Sequence, residues 1–291
     1  MIEDPFVTHR SLLFTVAYEM LGSGADAEDV LQEAWLRWDG VDQSEVRDAR
    51  AYLIRVVTRQ ALNQMRTLSR RRESYVGEWL PEPLLTSPDV ADDVELAESV
   101  SMAMLTVLET LGPTERAVFV LREVFEMPYG EIAEAIGKST ATVRQISRRA
   151  RDHVADRRPR MRVSRSEQQV VVERFLAAMQ TGQVRQLMDV LAPDVVLVAD
   201  SGGLVQAVRR PIHGADAVAK LLARAEQGPV TLETQTVWLN GAPALRVALD
   251  GELGAAVSLV VEDGRVTRVY IMRNPHKLAR LDETAELARG R

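Results

Sequence analysis

Lys138, Arg144, Arg148, Arg149 and Arg151 put five cations into "GKSTATVRQISRRAR", residues 137–151, without one acid. Arginines so placed bind phosphate oxygens and guanine edges, and Gln145 among them can read adenine. A second set, Arg55, Arg59, Asn63, Arg66 and Arg70, recurs at steps of four, four, three and four. On a helix that spacing makes one polar stripe, suited to backbone phosphates and unstacked bases. Taken singly, each set also fits the solvated face of an ordinary helix. Other chemistry is sparse. With no cysteine there is no thiol nucleophile, disulfide or thiolate metal site, and His9, His153, His213 and His276 fall at no zinc-ligand spacing. No catalytic residue, metal or cofactor is expected. The formal net charge is −6, so contact with nucleic acid depends on the local stripes and not on the total.

These side chains need elements to hold them. "MPYGEIAEAIG" reads as a short helix with Ile132, Ala133 and Ile136 inward and Gly137 as its stop, and Ser139 suits the N-cap of the next helix. Two short helices joined by a tight glycine turn make a helix-turn-helix. In the second, Val143, Ile146, Ala150 and Val154 share one face, leaving Arg144, Gln145, Arg148 and Arg149 outward. From Ser11 to about Arg72 the apolar spacing predicts a helical domain broken at "GSGAD". Within it, "DAEDVLQEAWLRW" buries Ala27, Leu31, Ala34, Trp35 and Trp38, and leaves Leu36 exposed among acids, a mark of a protein-binding surface. In "ARAYLIRVVTRQALNQMRTLSRRRE", Leu53, Val57, Ala61 and Leu68 lie away from the basic stripe.

Between Ser74 and Glu115 there is no lysine or arginine. Pro81, Pro83 and Pro88 forbid a continuous helix there, so this part reads as an extended acidic linker. The last third changes texture: helical stretches at Glu167–Gln180 and Val184–Leu191 precede "DVVLVAD", a helical "GADAVAKLLARA" and three Val-rich runs, with "EDG" as a hairpin turn. An α+β domain with a mainly antiparallel sheet is expected. No apolar run approaches the roughly 18–20 residues that span a bilayer, and "MIEDPFVTHR" has acids where a signal peptide needs cations. A cytoplasmic location without a membrane partner is expected.

"LGPTERAVFVLREVFEMPYGEIAEAIGKSTATVRQISRRAR" resembles region 4 of bacterial sigma factors of the extracytoplasmic-function group, within the sigma-70 family. That resemblance implies contact of Lys138, Thr140, Thr142, Arg144, Gln145, Arg148 and Arg149 with the promoter −35 element. "DAEDVLQEAWLRW" is similar to region 2.2, which implies that Asp26, Asp29, Gln32, Glu33 and Leu36 meet the β′ clamp helices of the polymerase core, with the β subunit a further partner. The Arg55–Arg70 stripe then falls in the regions that open and read the −10 element. The loop "DGVDQSEVRDA" would cradle a flipped base, although it holds no aromatic residue and the neighbouring Trp38 and Tyr52 read as core. The acidic linker would thread the polymerase as a nucleic-acid mimic.

Beyond region 4, the order of helices and strands resembles the SnoaL-like, or NTF2-like, cone found in a sigma-J type subgroup. Its motifs occur here as "WLPEP" (Trp79, Leu80, Pro81, Glu82, Pro83), "DSGGL" (Asp200, Gly202, Gly203) and "NPHKL" (Asn274, Pro275, Lys277, Leu278), with departures at Ser201, Leu204 and His276. The expected organisation is region 2 at 1–74, linker at 75–97, region 4 at 98–158, a hinge at 159–165 and the NTF2-like domain at 166–291. The resemblance implies a promoter-specific initiation factor modulated by its own C-terminal domain, with room for a small-molecule ligand and for dimerisation. Two alternatives stay open: a one-component DNA-binding regulator that senses a ligand, and a SnoaL-type enzyme using Asp200, His213, Trp238 and Tyr270. Against the enzyme, Asp200 also reads as a turn former, and Trp238 and Tyr270 as core.

Overall fold

The computed structural model describes residues 4–158 and 164–290, without the side chains of residues 69–73. Most of the expected hinge at 159–165 therefore lies outside the described residues. The first helical group comprises α1 (Pro5–Thr8), α2 (Arg10–Leu21), α3 (Gly24–Asp39) and α4 (Ala49–Glu73). Gly22, at φ 70°, ends α2 in the left-handed conformation that a side chain resists, and Ser23 caps α3 by accepting the Asp26 N–H at 3.2 Å.

The second group follows β1 (Leu85–Thr86) and holds α5 (Val94–Ser99), α6 (Met102–Leu108), α7 (Pro113–Phe119), α8 (Tyr129–Ile136) and α9 (Thr140–Ala155). α7 runs on into a π turn at Val120–Val124. The two helical groups share one apolar core: Leu13, Ala17, Leu53 and Val57 of the first belong to the same buried cluster as Val118, Leu121, Ile132 and Val143 of the second.

The third part comprises α10 (Arg165–Thr181), α11 (Val184–Val190), β2 (Leu191–Asp200), β3 (Ile212–His213), α12 (Ala215–Glu226), β4 (Leu232–Leu239), β5 (Ala242–Leu249), β6 (Glu252–Glu262), β7 (Arg265–Met272), α13 (Pro275–Leu278) and β8 (Thr284–Ala285). Its strands lie in one sheet, ordered β3-β2-β7-β6-β5-β4-β1-β8. Neighbours pair antiparallel except β2 with β7 and β1 with β8. Asp263 (φ 49°) and Gly264 (φ 71°) supply the paired positive angles of a tight hairpin turn between β6 and β7, where "EDG" predicts one. The class is thus two all-α parts followed by an α+β domain, as expected.

Both faces of the sheet are covered. Strand residues alternate, so Leu197, Leu245, Val257 and Val269 point to one side and pack on Phe175, Leu187 and Leu222 of α10, α11 and α12. Ala244, Ala256, Tyr270 and Met272 point to the other and meet Leu80, Met102 and Ala103, from the linker and α6. The linker is therefore no free spacer. Its prolines keep it out of helix, yet residues 80–84 are buried, and β1 joins the sheet by pairing Leu85 with Leu239 of β4 and with Thr284 of β8. Backbone that cannot form a helix has found its hydrogen-bond partners at a sheet edge. Among the described residues no helix is long and apolar enough to cross a membrane.

Candidate nucleic-acid interface and interdomain clasp

α8 and α9 form the turn that the sequence calls for. Gly137 (φ 66°) closes α8 in the left-handed region, and Ser139 caps α9 by accepting the Thr142 N–H at 3.2 Å. Val143, Ile146, Ala150 and Val154 are buried, while Lys138, Arg144, Gln145, Arg148 and Arg149 are exposed and Thr140 and Thr142 half-buried. The guanidinium of Arg144 lies 5.6 Å from the Tyr129 ring centroid, and that of Arg122 lies 4.7 Å from it, so α8 helps to aim both. This ridge faces solvent.

The second ridge does so only in part: Arg59, Asn63 and Arg66 are exposed and Arg55 is half-buried, and two of its cations are taken up by α8. Arg55, Arg59, Asn63 and Arg66 share one side of α4 as expected; the side chain of Arg70 lies outside the described residues. Arg55 Nη1 reaches Glu134 Oε2 of α8 at 3.0 Å, and Arg59 donates to the carbonyls of Ala135 (3.1 Å) and Glu134 (3.0 Å). Those carbonyls end α8 and lack helical partners of their own, so they accept a cation's donors readily. Beside this contact a cleft of about 430 Å³ is lined by the loop at 41–48, Tyr52, Arg55, Glu131 and Glu134. Trp38 is core, 1% exposed, with its indole N–H on Asp4 Oδ1 at 3.0 Å. Tyr52, also expected in the core, is instead half-buried and borders the cleft.

On α3, Asp29, Gln32, Glu33 and Leu36 are exposed, Leu36 at 60%. Glu33 accepts from Gln60 Nε2 at 2.8 Å and the half-buried Asp26 from Gln64 Nε2 at 3.0 Å. Trp35, expected to be buried, is 41% exposed. Val30 is buried instead, which turns the apolar stripe toward Ala34 and leaves Trp35 at its margin. α3 thus presents an exposed apolar and acidic surface at Asp29, Gln32, Glu33 and Leu36, with Asp26 and Glu33 tied at its edge to α4.

The three short motifs meet in one place. Asp200, at the end of β2 and 0% exposed, accepts the Leu80 N–H at 2.9 Å and the Lys277 ammonium at 2.7 Å on Oδ2. On Oδ1 it accepts the Tyr75 hydroxyl and the Gly202 N–H, the latter at 3.0 Å. Lys277 also donates to the Leu80 carbonyl and rests 3.2 Å from the Trp79 ring centroid. Asn274 donates to the Tyr75 hydroxyl at 2.8 Å, and burial beside Asp200 pushes that phenol well above its ordinary range. The peptide of Leu80 is therefore held at both ends by a buried ion pair. Gly202 and Gly203 take positive φ, and a Cβ on either would run into Asn274 or Val76. Asp200 forms the turn, accepting the Gly202 N–H, and it also grips the linker through the Leu80 N–H. His213 is exposed on β3 and Trp238 lies on β4; the hydrogen-bond partners of Asp200 are Tyr75, Leu80, Gly202 and Lys277. The departures fall outside the clasp: His276 is exposed, Leu204 is 55% exposed, and Ser201 only caps its own turn by accepting the Gly203 N–H at 3.3 Å.

A second junction escapes any reading of local pattern. Asn240, at φ 53° in the β4–β5 turn, donates to the Tyr18 hydroxyl (2.6 Å) and the Val100 carbonyl (2.9 Å), and accepts the Leu84 N–H (3.1 Å). One side chain thereby ties α2, the end of α5 and the linker to the sheet. Glu82, 3% exposed, accepts from Ser23 Oγ (2.9 Å) and Ala25 N (3.3 Å), while Tyr18 donates to its carbonyl at 2.7 Å. Burial raises the Glu82 carboxyl above its usual range. "N-G" between strands announces a turn, but nothing local tells which helices it will touch.

The model of Sigma-70 region 2 matches residues 6–71, and that of Sigma-70 region 4 matches residues 101–154. The ECF RNA polymerase sigma factor SigJ of Mycobacterium tuberculosis is 37% identical over 287 residues, covering 94% of this chain and 91% of that protein. A probable ECF RNA polymerase sigma factor, SigI, of the same species is 35% identical, covering 97% of this chain and 96% of its own. The crystal structure of the Mycobacterium tuberculosis extracytoplasmic-function sigma factor SigJ superposes with a TM-score of 0.76 at 34% identity, over 94% of this chain and 97% of that one.

Proposed function

The chain belongs to the extracytoplasmic-function RNA polymerase sigma factors of the sigma-70 family, and from that premise we propose how its residues divide the work. It is a transcription-initiation factor that binds polymerase core and promoter DNA, a regulator rather than an enzyme. Lys138, Thr140, Thr142, Arg144, Gln145, Arg148 and Arg149 read the −35 element; Arg55, Arg59, Asn63, Arg66 and Arg70, with the cleft beside Tyr52, engage the −10 element. Asp26, Asp29, Gln32, Glu33 and Leu36 hold the β′ clamp helices. The exposure of α3 and α9 supports the first and third assignments.

One observation carries the regulatory reading. Arg55 and Arg59 are bonded to α8, so the arrangement seen here is a closed one, in which two of the α4 cations are engaged by α8 while the α9 ridge faces solvent. The C-terminal domain holds the chain closed through the clasp on Leu80 and the Asn240 junction. A tethered domain acts at high effective concentration, so modest contacts suffice. Polymerase docking on α3 favours the open form only as far as it binds that form better, and a small ligand of the C-terminal domain would act by the same rule.

Capture of polymerase core by the tagged chain tests the family role. Asp29→Lys with Glu33→Lys is expected to abolish capture; a one-component regulator would bind promoter DNA equally well with or without those changes. Transcription from a cognate promoter tests the closure: Asp200→Asn is expected to change its rate, and an unaltered rate would refute regulation by the clasp.

A further inference from the structure

Residues 284–290 touch the linker and both helical groups. β8 pairs in parallel with β1 of the linker, Thr284 opposite Leu85 and Ala285 opposite Thr86. Glu286 accepts from Ser11 Oγ at 3.3 Å, the Ala288 N–H donates to Thr15 Oγ1 at 3.0 Å, and Arg50 Nη2 donates to the Gly290 carbonyl at 3.0 Å. These bonds bind the segment to α2 and α4. Leu287 packs on the shared helical core and also on Val90, Leu96 and Val100. Arg289, 9% exposed, donates Nε to the Val124 carbonyl at 3.0 Å and pairs through Nη1 with Glu95 and, at 3.7 Å, with Asp93. Val124 ends the π turn after α7, and Asp93 and Glu95 begin α5, so these three partners all lie on the second helical group.

We propose that residues 284–290 are a strap that latches the second helical group onto the first, with Arg289 as its pin. The inference rests on the closed reading above and names the segment that maintains it. Two features favour a latch over passive packing. The segment's bonds to the first group (Ser11, Thr15, Arg50) and to the second (Val124, Asp93, Glu95) fall within five residues, Arg289 lying between Ala288 and Gly290, so both groups lose these bonds together when it leaves. Its anchor strand pairs only two residues on β1, a short ladder that can detach without unfolding the five central strands. Leaving would strip Arg289 of its charged partners and expose Leu287. A competitor for those contacts, or for the β1 edge, opens the molecule.

The chain has no cysteine, so Arg37→Cys and Asp152→Cys, both at exposed positions of the two helical groups, give a clean fluorophore pair on the full chain. Three strap variants are compared: Arg289→Glu, a chain ending at Glu283, and Thr15→Val, which removes the acceptor for Ala288 while keeping the shape of the buried side chain. Glu134→Lys, which reverses the α4–α8 ion pair, is the reference for opening. The expected result is a longer label separation in all four, with the open-to-closed ratio rising on the order of tenfold for Arg289→Glu, as for loss of a charge-assisted hydrogen bond. If Glu134→Lys lengthens the separation and the strap variants leave it short, the strap is refuted and the closed reading stands. If none of the four lengthens it, the closed reading fails and the strap with it.

Discussion

Asp200 and Lys277 carry opposite charges into a site from which water is excluded, and each is tolerable only because the other is there. Asp200→Asn leaves the ammonium without its counter-charge, and urea unfolding is expected to register a loss of about 3 kcal/mol. Combining it with Lys277→Met removes the stranded charge, so the double variant is expected to lose less than the sum of the two single changes. Glu19 makes a different point. It is buried between α2 and α5, accepting from Ser99 Oγ at 2.7 Å, and burial pushes its carboxyl from 4.5 up to about 8 despite that bond and the nearby Arg116 and Arg289. The folded chain therefore keeps a proton that the unfolded chain releases above pH 4.5, so stability falls as pH rises from about 4.5 to about 8. Glu82 shifts in the same direction for the same reason. Glu19→Gln is expected to flatten the dependence of the urea midpoint on pH between about 5.5 and about 8.5.

Elements decide what these residues can reach. α9 is ordered by its own sequence: an apolar face every third or fourth residue, a serine cap and a preceding glycine. A Cβ added at Gly137 would have nothing within 4 Å, but the φ of 66° there is one that side chains resist. Gly137→Ala is expected to cost about 1 kcal/mol in thermal unfolding and to misalign α9 on α8, seen as weaker −35 binding. Arg148→Ala should leave folding intact and lower the slope of log binding constant against log salt by about one contact. α4 illustrates the opposite case. Its stripe is as regular as that of α9, yet two of its cations point into another helix, because the end of α8 offers carbonyls and Glu134 within reach.

Across the whole molecule, the C-terminal sheet substitutes other domains for the layer it would otherwise need. Leu80, Met102 and Ala103 cover one face, at the expense of having no cover themselves once that sheet is gone. A chain ending before Ser164 is expected to bind a hydrophobic dye more strongly than the full chain, and to bind promoter DNA more tightly without polymerase. Unchanged DNA affinity would argue that the domain does not restrain the helical groups. Such coupling is invisible to local pattern. Pro81 and Pro83 announce only the absence of helix, while the partner of their neighbour Leu80 lies 120 residues away at Asp200.

Residue order alone was enough to specify the elements and the chemistry on their surfaces, because periodicity, capping and charge act over a few residues: α3, α4, α8 and α9, the Val-rich strands and the short motifs could all be read along the chain. It placed Trp35 and Tyr52 one step too deep, since the margin of an apolar stripe is set by whatever packs against it. Which surfaces face each other was settled only by the folded arrangement. Asn240 reaching Tyr18, Arg289 reaching Glu95 and Arg59 reaching α8 are bonds between segments distant in the chain. Such bonds depend on how whole elements stack, where burial and geometry choose among many partners that would satisfy the same local chemistry.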